Sequence, residues 1–345
     1  MKVLVTGATG FIGRALSERL VGGGFELRVL ARDPRRLEGL GANARIEVVE
    51  GDVTDPAAID RAVAGVDLVF HVAGSFREAD ATDERYRQVN VESVRHVIEA
   101  ARRHGVRRIV HTSTVGIHGS VAADAPAAED SPLRPDGAYE VTKAEGDALA
   151  LAEAAAAGGG GRPEIVVLRP APVYGPGDLR LLKLFRLASR ARPFLLGDGR
   201  ALYHMVHIDD LVDAYLLAAR VPAAAGHAFI IAGRERPSVN ELVAAVALAL
   251  GRAEPPRPFH LPAAPVRMLA GLCEDLCRPF GLNPPIYRRR VDFFLNNRLY
   301  DTRKAEGVLG YRPRIALDDG LRGTADWYRA KGMLSTVPAL AAVAF

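Results

Sequence analysis

The chain has 345 residues, enough for one large domain or two modest ones. Its 49% hydrophobic and 25% charged content excludes a disordered protein, and a formal charge of +4 is too small at this length to argue for a nucleic-acid partner. No apolar run reaches the roughly 20 residues of a membrane-spanning helix, and Met1–Gly7 reads as a strand entering a glycine turn rather than a secretion signal.

In chain order, the first half alternates strand and helix patterns, the mark of an α/β fold with a doubly wound parallel sheet. A strand over Lys2–Thr6 leads into a helix that runs to about Val21 and ends at Gly22-Gly23-Gly24. Glu26–Ala31 is the second strand. Asp33-Pro34 then starts a short helix, with Asp33 as its cap and Pro34 at the first position. Ile46–Glu50 is the third strand, and Asp55-Pro56 opens the next helix in the same way. Further strands are expected at Asp67–Val72, Arg108–Thr112 and Ile165–Leu168. Long helices are expected from about Glu84 to His104 and from the region of Tyr139 to Ala157.

After Arg169-Pro170 the pattern becomes proline-rich and irregular. Residues 1–175 are expected to form a dinucleotide-binding domain, to which 206–233 return. Residues 176–205 and 234–335 are expected to form a smaller, mostly helical substrate domain, followed by an apolar tail at 336–345 whose default place is docked on the body. Cys273 and Cys277 stand four apart on a helical pattern, which suits neither a disulfide nor, alone, a zinc site. They read as small apolar residues in a reduced, cytoplasmic compartment. No metal is expected.

Two motifs carry chemistry. Thr6-Gly7-Ala8-Thr9-Gly10-Phe11-Ile12-Gly13 sits between the first strand and the first helix. There Gly7 allows a tight turn, Gly10 lets backbone N–H groups approach a pyrophosphate, and Gly13 lets helix pack on strand. Thr9, Phe11 and Ile12 complete the loop. Ala31-Arg32-Asp33 ends the second strand, where the choice of cofactor is read. Arg32 favours the 2′-phosphate of NADP, while Asp33 leaves room for NAD although it also serves as a cap. Asp52-Val53 is placed to meet the adenine, with a turn cap as the other reading of Asp52. Val72-Ala73-Gly74 offers small residues against which a cofactor can lie.

The second motif is Tyr139-Glu140-Val141-Thr142-Lys143, preceded by Thr112-Ser113-Thr114 at a strand end. Tyr139 and Lys143 share one helix face. A free phenol titrates near 10, and a nearby ammonium favours the phenolate, so Tyr139 can exchange a proton with a carbinol or ketone while hydride moves. Thr114, or else Ser113, would hydrogen-bond the substrate oxygen.

These residues resemble the extended short-chain dehydrogenases/reductases, the NAD(P)-dependent epimerase/dehydratase-like group. The likeness runs from Thr6–Gly13 through Asp52-Val53, His71–Gly74, Asn90, Thr112–Thr114, Tyr139 with Lys143, Leu168-Arg169-Pro170, Val173–Asp178 and Val206–Asp210 to Tyr300–Lys304 and Leu309–Pro313. It implies a Rossmann domain with a C-terminal substrate domain, frequent homodimers, and roles at the cofactor for Asn90, Thr112, Pro170 and Val173 beside Tyr139 and Lys143. Nucleotide-sugar epimerases of the family commonly carry an Asn where Pro172 stands. They often carry an Arg in the stretch matching Leu202–Met205. Both departures turn the expectation toward the 3β-hydroxysteroid dehydrogenase and dihydroflavonol reductase-like members, which act on apolar alcohols or ketones. Phe76, Leu182, Phe185, Leu195, Leu196 and the Leu269–Phe280 stretch are pocket candidates, with ordinary core as the alternative. A nucleotide-sugar epimerase or dehydratase using Arg180, Arg200 and Arg288–Arg290 as phosphate ligands is the first rival, and a non-catalytic dinucleotide sensor is the second.

Overall fold

The computed structural model describes residues 1–40, 46–76, 82–158, 161–277 and 294–334. The Arg288–Arg290 cluster and the apolar tail lie outside them. Seven strands form a parallel sheet: β1 (Lys2–Thr6), β2 (Glu26–Ala31), β3 (Ile46–Glu50), β4 (Leu68–His71), β5 (Arg108–Thr112), β6 (Glu164–Pro170) and β10 (Ala228–Ile231). Their spatial order is β10-β6-β5-β4-β1-β2-β3, so strand order reverses between β1 and β4. In such sheets ligands bind at that switch point, beyond the carboxyl ends of the strands.

The sheet is apolar on both faces because helices cover both. Along β1, Val3 and Val5 enter one core cluster and Leu4 the other. Val110 and Val166 join the first while Ile109, Ile165 and Val167 join the second. Helices α1 (Phe11–Gly22) and α7 (Ile208–Arg220) cover one face, and α2 (Pro56–Val63), α4 (Ser93–Arg103) and α5 (Ala138–Ala157) the other. Edge strand β3 is the least buried, with Val48 exposed.

The caps read from sequence are present. Asp33 accepts from the Arg35 N–H at the start of a 3₁₀ turn (Pro34–Leu37), and Asp55 accepts from the Ala57 N–H at the start of α2. The helix expected from Glu84 to His104 is α3 (Asp83–Arg87) and α4 joined through a π turn at Gln88–Glu92. A Cβ on Gly146 of α5 would lie 2.2 Å from the Asn90 carbonyl oxygen in that turn. A glycine there lets α5 approach it.

Beyond β6 the chain forms β7 (Val173–Tyr174), α6 (Leu182–Ala188), β8 (Phe194–Leu196), β9 (Val206–His207), α8 (Val239–Ala249), β11 (Phe259–Leu261), α9 (Ala263–Cys277) and α10 (Leu317–Ala330). β7 pairs with β9 and β8 with β11. Helices α6, α8 and α10 share a separate core around Phe185, Leu242, Val246 and Tyr328. Both cysteines are free on α9. No helix among the described residues is long and apolar enough to cross a membrane.

One tight contact sets the entry to the first helix. A Cβ on Gly13 would lie 2.1 Å from the Gly7 carbonyl oxygen, with no flexible side chain to yield. Gly13→Ala must push α1 away from β1. The expected loss is about 3 kcal/mol of stability, readable in chemical denaturation; an unchanged midpoint would contradict this packing.

Candidate active site

The carboxyl ends of β1, β2, β4, β5 and β6 open into a continuous cleft of about 1650 Å³ that runs out between the sheet and the α6–α9 region. It brings together almost every residue singled out from sequence: Gly7, Thr9, Gly10, Phe11, Ile12 and Gly13; Arg32; Asp52 and Val53; Val72, Ala73 and Gly74; Thr112, Ser113 and Thr114; Tyr139 and Lys143; Pro170 and Val173. Among the expected cofactor and catalytic residues, Asn90 is the exception. It is buried behind the wall, where its Oδ1 accepts from the Ser75 N–H at 3.1 Å and its Nδ2 donates to Thr142 Oγ1 at 3.1 Å. It ties the loop after β4 to α5.

The glycine loop presents the first turn of α1 without a side-chain cap and without an acidic residue, so its N–H groups and the helix dipole face the cleft. That arrangement fits a pyrophosphate. A buried chain of hydrogen bonds steadies the facing loop. Ser93 Oγ donates to the Val89 carbonyl, so it accepts from His71 Nε2 at 3.1 Å. His71 Nδ1 then accepts from Thr6 Oγ1 at 2.8 Å, and Thr6 Oγ1 accepts from the Ala73 N–H at 3.2 Å. Burial keeps His71 neutral, pushing its pKa down to about 3.

At the end of β2, Arg32 is exposed on the cleft and pairs with no carboxylate among the described residues. Arg36 lines the same corner. Asp33 is occupied: Oδ1 caps the Arg35 N–H, and the carboxylate pairs with the Arg35 guanidinium at 2.9 Å. Asp52 is a turn cap that also faces the cleft. Its Oδ1 caps the Thr54 N–H, its Oδ2 pairs with Arg85 at 2.8 Å, and it lines the cleft.

Tyr139 and Lys143 sit on α5, four residues apart. The Tyr139 ring meets the edge of Phe76 at 4.7 Å and of Tyr86 at 6.4 Å between centroids. Lys143 is 3% exposed, and its Nζ donates to the Thr112 carbonyl at 2.5 Å. Burial lowers its pKa to about 8, while Asp147, one turn on, opposes that shift. Asp147 is held by Arg169 through two hydrogen bonds of 2.9 and 2.7 Å, with both side chains almost fully buried. Sequence reasoning singled out Arg169 only within a motif and did not find Asp147. Opposite charges on a strand and a helix leave no local pattern.

The hydroxyl cluster divides its tasks. Thr112 Oγ1 bonds Tyr215 Oη at 2.6 Å, away from the cleft. Ser113 Oγ is buried without a partner among the described residues, and Thr114 Oγ1 accepts from the Gly116 N–H at 3.1 Å and keeps its own proton to donate. Of the apolar candidates, Phe76 and Leu196 line the cleft, whereas Phe185 and Leu195 are core and Leu182 packs on that core. Leu269 is exposed on α9. Arg180 lines the cleft; Arg200 is exposed and faces Asp198. Sequence reasoning missed Lys183, Arg186 and Arg190 on the wall. Arg298, which the sequence offers beside the Arg288–Arg290 cluster as part of a solvated basic face or an anion site, lines the cleft and stacks over Tyr203 with its guanidinium 5.1 Å from the ring centroid.

A parallel sheet with this strand order and a glycine loop at its switch point defines a dinucleotide-binding enzyme of the Rossmann type. Residues 3–232 match the model of the NAD dependent epimerase/dehydratase family, and the chain belongs to that family, within the extended short-chain dehydrogenases/reductases. It is similar to a 2-alkyl-3-oxoalkanoate reductase of Stenotrophomonas maltophilia, 33% identical over 93% of this chain and 98% of the relative. A 3beta-hydroxysteroid-dehydrogenase/decarboxylase of Arabidopsis thaliana is 30% identical over 94% of this chain and 78% of the relative. Among solved structures, MoeE5 in complex with UDP-glucose and NAD matches with a TM-score of 0.72 and 28% identity, covering 96% of this chain and 99% of that one. The protein is an NAD-dependent oxidoreductase or epimerase.

Proposed function

We propose that the protein is a reductase or dehydrogenase that uses an exchangeable nicotinamide cofactor on a secondary alcohol or ketone of an apolar frame. The observation that carries this reading is that Tyr139, Lys143 and Thr114 line one cleft with the glycine loop. When bound, the nicotinamide supplies or takes the hydride. Tyr139 gives its phenolic proton to the carbonyl oxygen during reduction, or takes it from the carbinol during oxidation. Lys143 favours the phenolate by its charge and has donors left for a ribose hydroxyl. Thr114 donates to the substrate oxygen, and the partnerless Ser113 hydroxyl beside it is the alternative donor. The names of the two relatives, one a reductase of oxoalkanoates and one a hydroxysteroid dehydrogenase, support a carbonyl or carbinol centre. The active form is taken to be a cytoplasmic homodimer, a state that light scattering reads directly.

The preferred cofactor is NADP(H). Arg32 is exposed to the cleft, whereas the Asp33 carboxylate that would receive a ribose hydroxyl is engaged by Arg35. Arg32→Ala is expected to lower the preference for NADPH over NADH by about tenfold, the worth of one charge-assisted contact. An unchanged ratio of the two dissociation constants would remove the argument. The function is tested by following NADPH oxidation across a panel of apolar ketones; oxidation with none of them would count against it. A retained-NAD epimerase is the second reading, favoured by the cations on the cleft wall.

A further inference from the structure

Residues 179–197 carry Arg180, Lys183, Arg186, Arg190 and Arg192 and no acidic residue. The first four stand at intervals of three or four, so α6 and the turns flanking it align them on one ridge, and all four line the cleft. Arg180 is pinned. Its Nε donates to Asp178 Oδ1 at 2.7 Å and its Nη2 to the Val173 carbonyl at 2.8 Å. Its guanidinium lies 5.9 Å from the Phe76 ring, the ring that meets Tyr139. Lys183, Arg186 and Arg190 pair with no carboxylate among the described residues; Arg190 stacks over exposed Phe194 at 5.7 Å. The wall formed by β8, β11, α9 and Phe294 is apolar, with Leu196, Leu261 and Val266.

A basic ridge on open surface is ordinarily just solvated. Here it lines a cleft that also has an apolar wall. Its nearest cleft carboxylate, Asp178, is spent on Arg180 and on the N–H groups of Arg180 and Leu181. The other cleft carboxylates are Asp52, paired with Arg85, and Asp136 and Glu140 at the α5 end. Like charges in a row repel, and an anion placed among them relieves that repulsion.

We propose that this ridge is an anion subsite. The substrate is an apolar ketone or alcohol that also carries a carboxylate or phosphate, its chain lying on the Leu261–Phe294 wall and its anionic group on the ridge. The proposal rests on the reductase reading of the cleft.

The test uses the full chain saturated with NADPH, titrated calorimetrically with octanoate, octyl phosphate and 1-octanol. At low salt at least one anion is expected to bind about tenfold more tightly than the alcohol, and the better anion identifies the group. Raising the ionic strength to about 0.5 M should shrink that advantage. Lys183→Glu/Arg190→Glu changes exposed side chains, and is expected to abolish the advantage without weakening NADPH binding. Equal binding of anion and alcohol, an advantage that survives the double substitution, or anion binding that disappears on saturation with NADPH would each overturn the subsite. None of these readouts needs turnover. A protein that binds octanoate as described yet oxidises NADPH with no ketone would contradict the reductase reading and leave the subsite standing.

Discussion

Replacing Tyr139 with Phe is expected to lower kcat/KM for ketone reduction by about a thousandfold, within the range that general acid catalysis supplies. The substitution removes one oxygen. The ring would keep its edge contacts with Phe76 and Tyr86, and the backbone of α5 would not change. Thermal stability and NADPH affinity should therefore stay near those of the parent, which separates a chemical loss from a folding loss. The loss should fall mainly on kcat, because the proton is transferred only in the transition state. Steady-state kinetics with NADPH in excess would check this. A variant that kept a tenth or more of the activity would assign the proton to another group, with Ser113 the first to examine. A variant with full biological function and no need of turnover would favour a dinucleotide sensor.

Lys143→Met is expected to do two opposite things. Activity should fall by at least a hundredfold, because the charge that favours the phenolate is lost. Stability at pH 7 should rise. Burial holds the folded pKa at about 8, below the ordinary lysine value of 10.5. A shift of that size is worth about 3 kcal/mol. The sign follows from proton counts. Between pH 8 and 10.5 the unfolded chain binds more protons than the folded one, so stability climbs with pH across that window. Below pH 8 the buried ammonium imposes its full penalty. Methionine removes that penalty and forfeits the hydrogen bond to the Thr112 carbonyl, worth about 1 kcal/mol. The net gain should be about 2 kcal/mol at pH 7, should vanish near pH 10 as the penalty falls to the worth of the lost hydrogen bond, and should become a loss of up to about 1 kcal/mol above pH 10.5. Denaturation across this pH range would check it. A Met variant that is less stable than the parent at pH 7 would show that Lys143 is a structural cation, held by Asp147 rather than strained by burial.

Much of the sheet was legible because buried parallel strands read as continuous apolar runs. β1, β2 and β5 begin and end where the sequence places them, and the Asp-Pro pairs mark the helix starts for a local reason, side-chain capping. The π turn at Gln88–Glu92 was not legible. Its residues continue an ordinary helical pattern, and the turn lies where α5 packs against Asn90 at Gly146. The short strands β7, β8, β9 and β11 pair only two or three residues each, too few for periodicity to register.

The site divides in the same way. The glycine loop, the hydroxyl cluster and the Tyr–Lys pair were readable because each is a local spacing on one element, and the fold joins them in one cleft. The Asp147–Arg169 pair behind Lys143 and the position of Arg298 over Tyr203 depend on contacts between distant segments. The ridge from Arg180 to Arg190 was present in the sequence as spaced cations, but only the cleft gives them a common direction.

The most direct test of the account is to purify the protein without added nucleotide, denature it, and identify what is released. The account predicts no stoichiometric dinucleotide, and a native protein that then binds NADPH reversibly, because the cofactor must exchange after every hydride transfer. Release of about one NAD⁺ per chain would contradict it, since a cofactor retained through the cycle belongs to an epimerase or dehydratase that regenerates its own nicotinamide.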